Sequence, residues 1–397
     1  MRSKKNTTPQ PSVPSAEHGS APGEDGRESA LERNLREPYA LPGRERPSAR
    51  SVTLGISFMV TVLLLSGLAV LPAPYAVRSP GPTRDTLGQV DGTDLIEITG
   101  ATTYESTGEL RLTTVGVNGG PGYPVNLAQV VQGWIDPTRV VAPVETVFPP
   151  SVSREQLDAQ SSAEMTSSQE MATYAALTEL GYEVPVTLTA VETVEGSGAR
   201  GVVEDGDVIV TFDGDALASS EDLLDRLSGT EPGTEVVLGI VREGEPSDVT
   251  VTTTDPGDGS EGSRLGVVVQ SSFDFPVDVS IQIENIGGPS AGTMFALGII
   301  DRLTPEDEVN GQVIAGTGTM DLTGAVGPIG GIRQKLDGAV RDGATWFLAP
   351  ADNCEEVVGH VPDGLQVAKV ATLAEARAAM VAIGAGEGST LPTCSAG

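Results

Sequence analysis

Nineteen consecutive uncharged residues, TLGISFMVTVLLLSGLAVL at 53–71, constrain this chain more than any other stretch. A bilayer core about 30 Å thick is crossed by about 20 apolar residues of helix. The run therefore predicts a single transmembrane helix. The competing reading is a cleaved signal peptide, with APYA at 73–76 offering small residues for processing. Roughly fifty polar residues precede the run, which is long for a signal n-region, and the run outlasts a typical h-region. An uncleaved anchor is the expectation. Arg44, Arg46 and Arg50 stand before the span, and Arg78 and Arg84 follow it. The excess before the span predicts a single-pass protein of the cell membrane, with the N-terminus cytoplasmic and the bulk of the chain outside.

The flanks differ in character. Residues 1–50 are rich in Pro, Ser, Glu and Arg, show no apolar period, and read as a disordered cytoplasmic tail. They hold nine Lys/Arg against seven Asp/Glu, so nearly all of the net charge of −31 falls on the rest of the chain. That acidity excludes nucleic acid as an expected partner, because phosphate binding needs a basic footprint. A length of 397 residues leaves room for two or three domains. Cys354 and Cys394 are the only cysteines. Outside the membrane they either pair, closing a loop of about forty residues, or stand as two free thiols.

After the span, residues 91–179 read as a β-rich unit followed by a helix. ELRLTTVGV at 109–117 is strand-like. SREQLDAQSSAEMTSSQEMATYAALTEL at 153–180 lacks Gly and Pro until Gly181 stops it. Met171, Tyr174, Ala175 and Leu177 give this helix one apolar face, and its polar first half is expected at the surface. From 180 to 254, short strands alternate with Gly turns. GARGVVEDGDVIVTFDGDAL at 198–217 resembles the most recognisable segment of bacterial PDZ domains. The resemblance implies a groove that takes an extended peptide as an added strand. By position it assigns Leu180 and Gly181 to the receiving loop and Val186 to Val191 to the pairing strand. A PDZ fold used only as a spacer is the plainer alternative. DPGDGSEG at 255–262 reads as a linker, and 263–386 as a further domain closed by a tail at 387–397. In that domain RLGVVVQSSF and VDVSIQIE read as strands, the second with Val277, Val279, Ile281 and Ile283 on one face.

This strand delivers the chain to IENIGGPSAGTMFALGIIDRL at 283–303. Two glycines and a proline make an abrupt corner, and Ser290 follows at the start of a helix. Free N–H groups and the positive end of the helix dipole suit a serine nucleophile there, since they hold a developing oxyanion. A plain helix-capping serine fits the corner equally well. A nucleophile needs a base. Of the two histidines, His18 lies in the tail and His360 in a turn without a carboxylate partner at motif spacing. Lysine is the other option. The chain has only Lys4, Lys5, Lys335 and Lys369 beside twenty arginines. Arginine does not release its proton in a protein, whereas desolvated lysine does. GPIGGIRQKLDGAVRDG at 327–343 predicts a helix over about 332–341 with Lys335, Ile332 and Ala339 on one face. Lys335 is then either a buried base or a surface lysine with its stem on apolar ground. Thr317 either bonds the amine or is an ordinary sheet threonine.

GGPSAG at 287–292 and TGTMDLTGAVGPIGG at 317–331, followed by IRQK at 332–335, resemble the proteolytic domain of Lon proteases. The resemblance runs over about 265–383. It implies an α+β multidomain chain: a transmembrane helix, a small β-rich unit, a PDZ domain, and a C-terminal Lon-type α/β domain. It implies Ser290 as nucleophile and Lys335 as general base, with Thr317 supporting the lysine and Gly288 shaping the corner. Many Lon enzymes carry an acidic residue three positions before the serine, where this chain has Gly287; an ion pair from that position to the lysine is then missing, which eases deprotonation. No G-x-x-x-x-G-K-[ST] phosphate loop occurs in the sequence, so ATP is not expected, nor any metal or organic cofactor. The arrangement is similar to the membrane-anchored, PDZ-containing Lon-like proteases of Gram-positive bacteria, the YlbL or SepM type. It implies energy-independent cleavage of secreted or membrane-tethered peptides and unfolded proteins, by a homo-oligomer if the rings of the Lon family carry over. The rival expectation is a non-catalytic PDZ scaffold with a relic Lon-like domain.

Overall fold

The computed structural model describes residues 48–395, apart from 91, 150, 258, 284 and 285. The tail expected over 1–50 therefore lies outside the described residues as far as 47. Helix α1 spans Ala49–Val70, 22 residues with none buried. At 1.5 Å per residue it is about 33 Å long, enough to cross a bilayer. The chain divides within it into two units, 1–63 and 64–397, and every element below belongs to the second.

Strand β1 (Tyr75–Pro80) leaves the helix end, followed by β2 (Glu109–Leu112), β3 (Val115–Asn118), helix α2 (Leu127–Ile135), β4 (Val140–Pro143) and helix α3 (Arg154–Glu179). The order β4–β1–β3 makes a small antiparallel sheet, over which Val77, Val125 and Val130 pack. Strand β2 belongs elsewhere, as described below. Both α2 and α3 open with a capping box, Asn126 with Gln129 and Ser153 with Gln156. Gly181, at φ +86°, ends α3 in the left-handed conformation that glycine adopts without strain.

Next come β5 (Val186–Thr193), β6 (Val208–Phe212), helix α4 (Ser220–Ser228), β7 (Glu235–Arg242), β8 (Glu245–Thr252) and β9 (Val267–Phe273). They form one antiparallel sheet of order β8–β7–β6–β5–β9. Leu188, Ile209, Leu238 and Ile240 from the sheet meet Leu223 and Leu227 of α4 in its core. The sequence reading closed this unit at 254 and gave RLGVVVQSSF to the following domain. In the structure the sheet continues past that boundary, because β9 pairs with β5 along its whole length, from Val186↔Phe273 to Thr193↔Val267.

Strand β10 (Asp278–Ile281), helix α5 (Gly292–Leu303), β11 (Val313–Gly316), helix α6 (Ile332–Arg341), β12 (Trp346–Pro350), β13 (Gln366–Val370) and helix α7 (Leu373–Gly384) complete the chain. The main sheet runs β13–β12–β11–β2 and ends at the short strand Arg84–Asp85. Strands β13, β12, β11 and β2 are parallel, β2 in register Val313↔Glu109 through Gly316↔Leu112. Strand β10 pairs with Ile96–Thr99. The β-rich unit expected over 91–179 does not stand apart: Ile96–Thr99 and β2 pair with strands of the C-terminal domain, β3 and β4 pair with β1 in the small sheet, and α3 packs Ala172, Ala175 and Ala176 into the same core as Met294, Phe295 and Ile299 of α5. The stretch expected as a tail from 387 is also tied down. Leu391 packs on the core, the Lys369 N–H donates to the Pro392 carbonyl, and Cys394 is bonded to Cys354.

Candidate active site and peptide groove

The corner before α5 is built by three elements. The chain rises from β10 and turns at Gly288, φ +85°. Helix α3 lies against the turn. The Gly288 N–H donates to the Ser161 carbonyl at 3.0 Å, and Ser168 Oγ donates to the Pro289 carbonyl at 3.0 Å. A Cβ on Gly287 would run into the Ser161 side chain, so the position that is acidic in many Lon enzymes is closed here by α3. These two serines were missed in the sequence, where the polar half of α3 was expected at the surface. Met165 and Ser168 are buried. The available signal was the run of Ser and Ala without Gly or Pro, which lets two helices approach closely.

Ser290 stands two residues before α5. Its Oγ accepts a hydrogen bond from Lys335 Nζ at 2.8 Å. Lys335 reaches it from α6, where Ile332, Leu336 and Ala339 share its buried side. The lysine is 2% exposed. Burial disfavours the charged amine and brings its pKa down from 10.5 to about 7. Thr317, fully buried just past β11, completes the set. Its Oγ1 accepts from Lys335 Nζ at 2.7 Å and donates to the Ser290 carbonyl at 2.9 Å. That second bond occupies the threonine's only proton, so Thr317 can only accept from the amine. A neutral Lys335 thus keeps its lone pair for the Ser290 hydroxyl. The N–H groups of Ser290 and Ala291 donate to no acceptor among the described residues. A cavity of about 340 Å³ opens over the pair, with Leu112, Val115, Met165 and Ile286 among its walls. Past Met165, Ile286 and Gly287 it continues as a cleft between α3 and Ile281, Ile283, Ile286 and Gly287.

Residues 281–382 match the family described as the Lon protease (S16) C-terminal proteolytic domain, and residues 166–253 match the PDZ domain family. This chain carries a Lon-type proteolytic domain and a PDZ domain. It is 26% identical over 197 residues to Lon protease 2 of Bacillus subtilis, covering 49% of this chain and 29% of that protein. It is 36% identical over 111 residues to Lon protease 1 of the same organism, 27% of this chain and 14% of that one. It is also 45% identical over 62 residues to the periplasmic pH-dependent serine endoprotease DegQ of Escherichia coli, 15% of this chain and 14% of that one. The chain thus spans less than a third of the length of these relatives.

In the PDZ domain the residues expected to form the groove already have partners within the fold. Leu180 and Gly181 are not free to receive a ligand, because the N–H groups of 180, 181 and 182 close the end of α3 on the carbonyls of Ala176, Thr178 and Leu177. Val186 and Val191 lie on β5, an interior strand flanked by β6 and β9. A strand paired on both sides has no edge to offer an added strand. The two edge strands of the sheet are β8 and β9, and β9 is the one beside β5. Helix α4 stands beside β9, with Ser271 Oγ donating to Ser220 Oγ at 3.3 Å and the Ser263 N–H donating to the Leu227 carbonyl at 2.9 Å. At the head of β9 the N–H groups of Leu265 and Gly266 donate to no acceptor among the described residues.

Proposed function

We propose that this chain is an ATP-independent, membrane-anchored serine endopeptidase working through Ser290 and Lys335. The observation that carries the reading is the 2.8 Å approach of a desolvated amine to the corner serine. Neutral Lys335 takes the Ser290 proton as Oγ attacks a scissile carbonyl. The carbonyl oxygen becomes an oxyanion against the Ser290 and Ala291 N–H groups. Lys335 then gives the proton to the leaving amine, and water deacylates the serine by the same route. Thr317 positions the amine. The apolar cavity walls favour an uncharged side chain beside the cut. On this reading the substrates are short or already unfolded peptides.

Substrate capture falls to β9 and α4, with an extended peptide pairing on β9 and its terminal carboxylate on the Leu265 and Gly266 N–H groups. The arginines before α1 and the Cys354–Cys394 bond favour an extracytoplasmic catalytic domain. The deciding experiment compares peptide cleavage by the full chain in detergent with Ser290→Ala and Lys335→Ala. Loss of turnover in both supports the pair; undiminished turnover in either refutes it and favours the scaffold reading. Amidating a peptide's C-terminus should raise KM with kcat unchanged, and an unaltered KM would exclude the carboxylate receptor.

A further inference from the structure

Helix α2 has an apolar face that the described chain leaves largely open, with the Tyr75 ring meeting Trp134 edge-on at 6.0 Å between centroids. Its sequence, LAQVVQGWI, contains no charged residue. Val130 and Gly133 face inward, where a Cβ on Gly133 would meet the Val141 side chain at 2.6 Å. On the other side stand Leu127, Val131, Trp134 and Ile135, spaced i, i+4, i+7 and i+8, which is one stripe of a helix. Trp134 is 64% exposed and Ile135 77%. A tryptophan and an isoleucine side by side in water are costly, and such a stripe marks an interaction surface.

Its position identifies the partner. The strand Pro72–Ala73, directly after the apolar run, pairs antiparallel with Val125–Asn126, the two residues before α2. The Leu127 N–H donates to the carbonyl of Leu71, the last residue of that run. The helix therefore starts at the level where the chain leaves the span. Tryptophan concentrates at the membrane–water boundary, and short helices with an apolar stripe settle in that layer. We propose that α2 docks on the outer surface of the bilayer, with Val131, Trp134 and Ile135 among the upper acyl chains. It gives the catalytic unit a second membrane contact beside α1 and restricts its rotation about the span. The proposal rests on α1 being a membrane span and is independent of the catalytic reading.

The test uses the full chain in phosphatidylcholine vesicles. Trp134 and Trp346 are the only tryptophans, so Trp346→Phe leaves Trp134 as the sole reporter. Replacing the lipid by its 6,7-dibromo form should lower Trp134 emission about twofold or more, as expected for an interfacial helix buried 5–10 Å deep, and aqueous iodide should quench it weakly. Emission that ignores the bromines and responds to iodide overturns the proposal. Protection from both quenchers also overturns it, since another copy of the chain then covers the face. If Trp346→Phe does not fold, a nitroxide on Ile135→Cys, read for collisions with oxygen against an aqueous nickel complex, answers the same question. Alkaline carbonate extraction separates the two premises: a chain released from vesicles removes the span and the docking together, whereas a retained chain with solvent-exposed Trp134 removes only the docking.

Discussion

Replacing Lys335 by methionine should abolish turnover and make the protein more stable. The lysine is 2% exposed and its folded pKa is about 7 instead of 10.5. Between those two values the unfolded chain holds a proton that the folded chain has given up. Folding stability then rises with pH across that window and is lowest, for this group, below pH 7. At 1.36 kcal/mol per unit, the burden at pH 7 is roughly 5 kcal/mol. Methionine keeps the stem packed and loses the bonds to Ser290 and Thr317, about 1 kcal/mol each. The net gain at pH 7 is about 3 kcal/mol; it falls to nothing near pH 9 and becomes a loss of about 2 kcal/mol as the pH approaches 10.5, each figure shifting by about 1 kcal/mol in favour of methionine where Ser290→Ala has already removed the Ser290 bond. Urea titrations of the full chain in detergent, at pH 7, 8.5 and 10, measure it, with both proteins carrying Ser290→Ala to prevent self-digestion. In the active protein, kcat/KM should climb about tenfold per unit below pH 7 and level off above 8. A methionine variant less stable by the same amount at every pH would show that the lysine is not desolvated in the fold, and a flat activity profile from pH 5 to 9 would remove it as the base.

Thr317→Val keeps the shape and removes the acceptor of Lys335 and the donor to Ser290. It should cost 10- to 100-fold in kcat, or about 1.4–2.8 kcal/mol of barrier, with KM nearly constant in steady-state assays. Gly287→Glu, which would restore the acidic residue of many Lon enzymes, should instead drive α3 from the corner, costing about 1–3 kcal/mol of stability and most of the activity. Adding Ser161→Gly should recover part of both, as read by thermal melts and peptide turnover. Asp301 is 2% exposed and is pushed up to about 6, burial being the main cause and outweighing the lowering by the Ser106 hydroxyl and the Glu308 backbone. Its folded form holds a proton that the unfolded chain loses above pH 3.8, so this group costs stability as pH rises towards 6. Asp301→Asn should therefore gain up to about 3 kcal/mol at pH 8 and nothing at pH 4, a difference that melts at the two values would reveal.

What the sequence disclosed was local. The apolar run, the glycine–proline corner at Ser290, the scarcity of lysine around Lys335 and the helix over Ile332–Arg341 can each be read within some twenty residues. The pairing of partners was not legible. Nothing in ELRL at 109–112 says that it lies beside Val313–Gly316, two hundred residues on. Strand β9 alternates whether it serves a PDZ sheet or the domain after it, and only the register with β5 decides. For the same reason the sequence could not show that Val186 to Val191 lie on an interior strand, since an edge is defined by a neighbour's absence. Ser161 and Ser168 act on the corner through α3, and the contact depends on how two helices cross.

Because β2 precedes the PDZ sheet in the chain and β11 follows it, the PDZ sheet is an insertion with both ends sewn into the Lon-type domain. It is suspended at two points, one through α3 and the other through the segment leading to Ser290. On the function proposed above, a ligand that tilts it would pull on the approach to Ser290 and on α3 at once. A fragment trimmed to 281–382 would lose two strands from its main sheet, Glu109–Leu112 and Arg84–Asp85, so what looks in sequence like a detachable domain is half of an enclosure whose other half was threaded first.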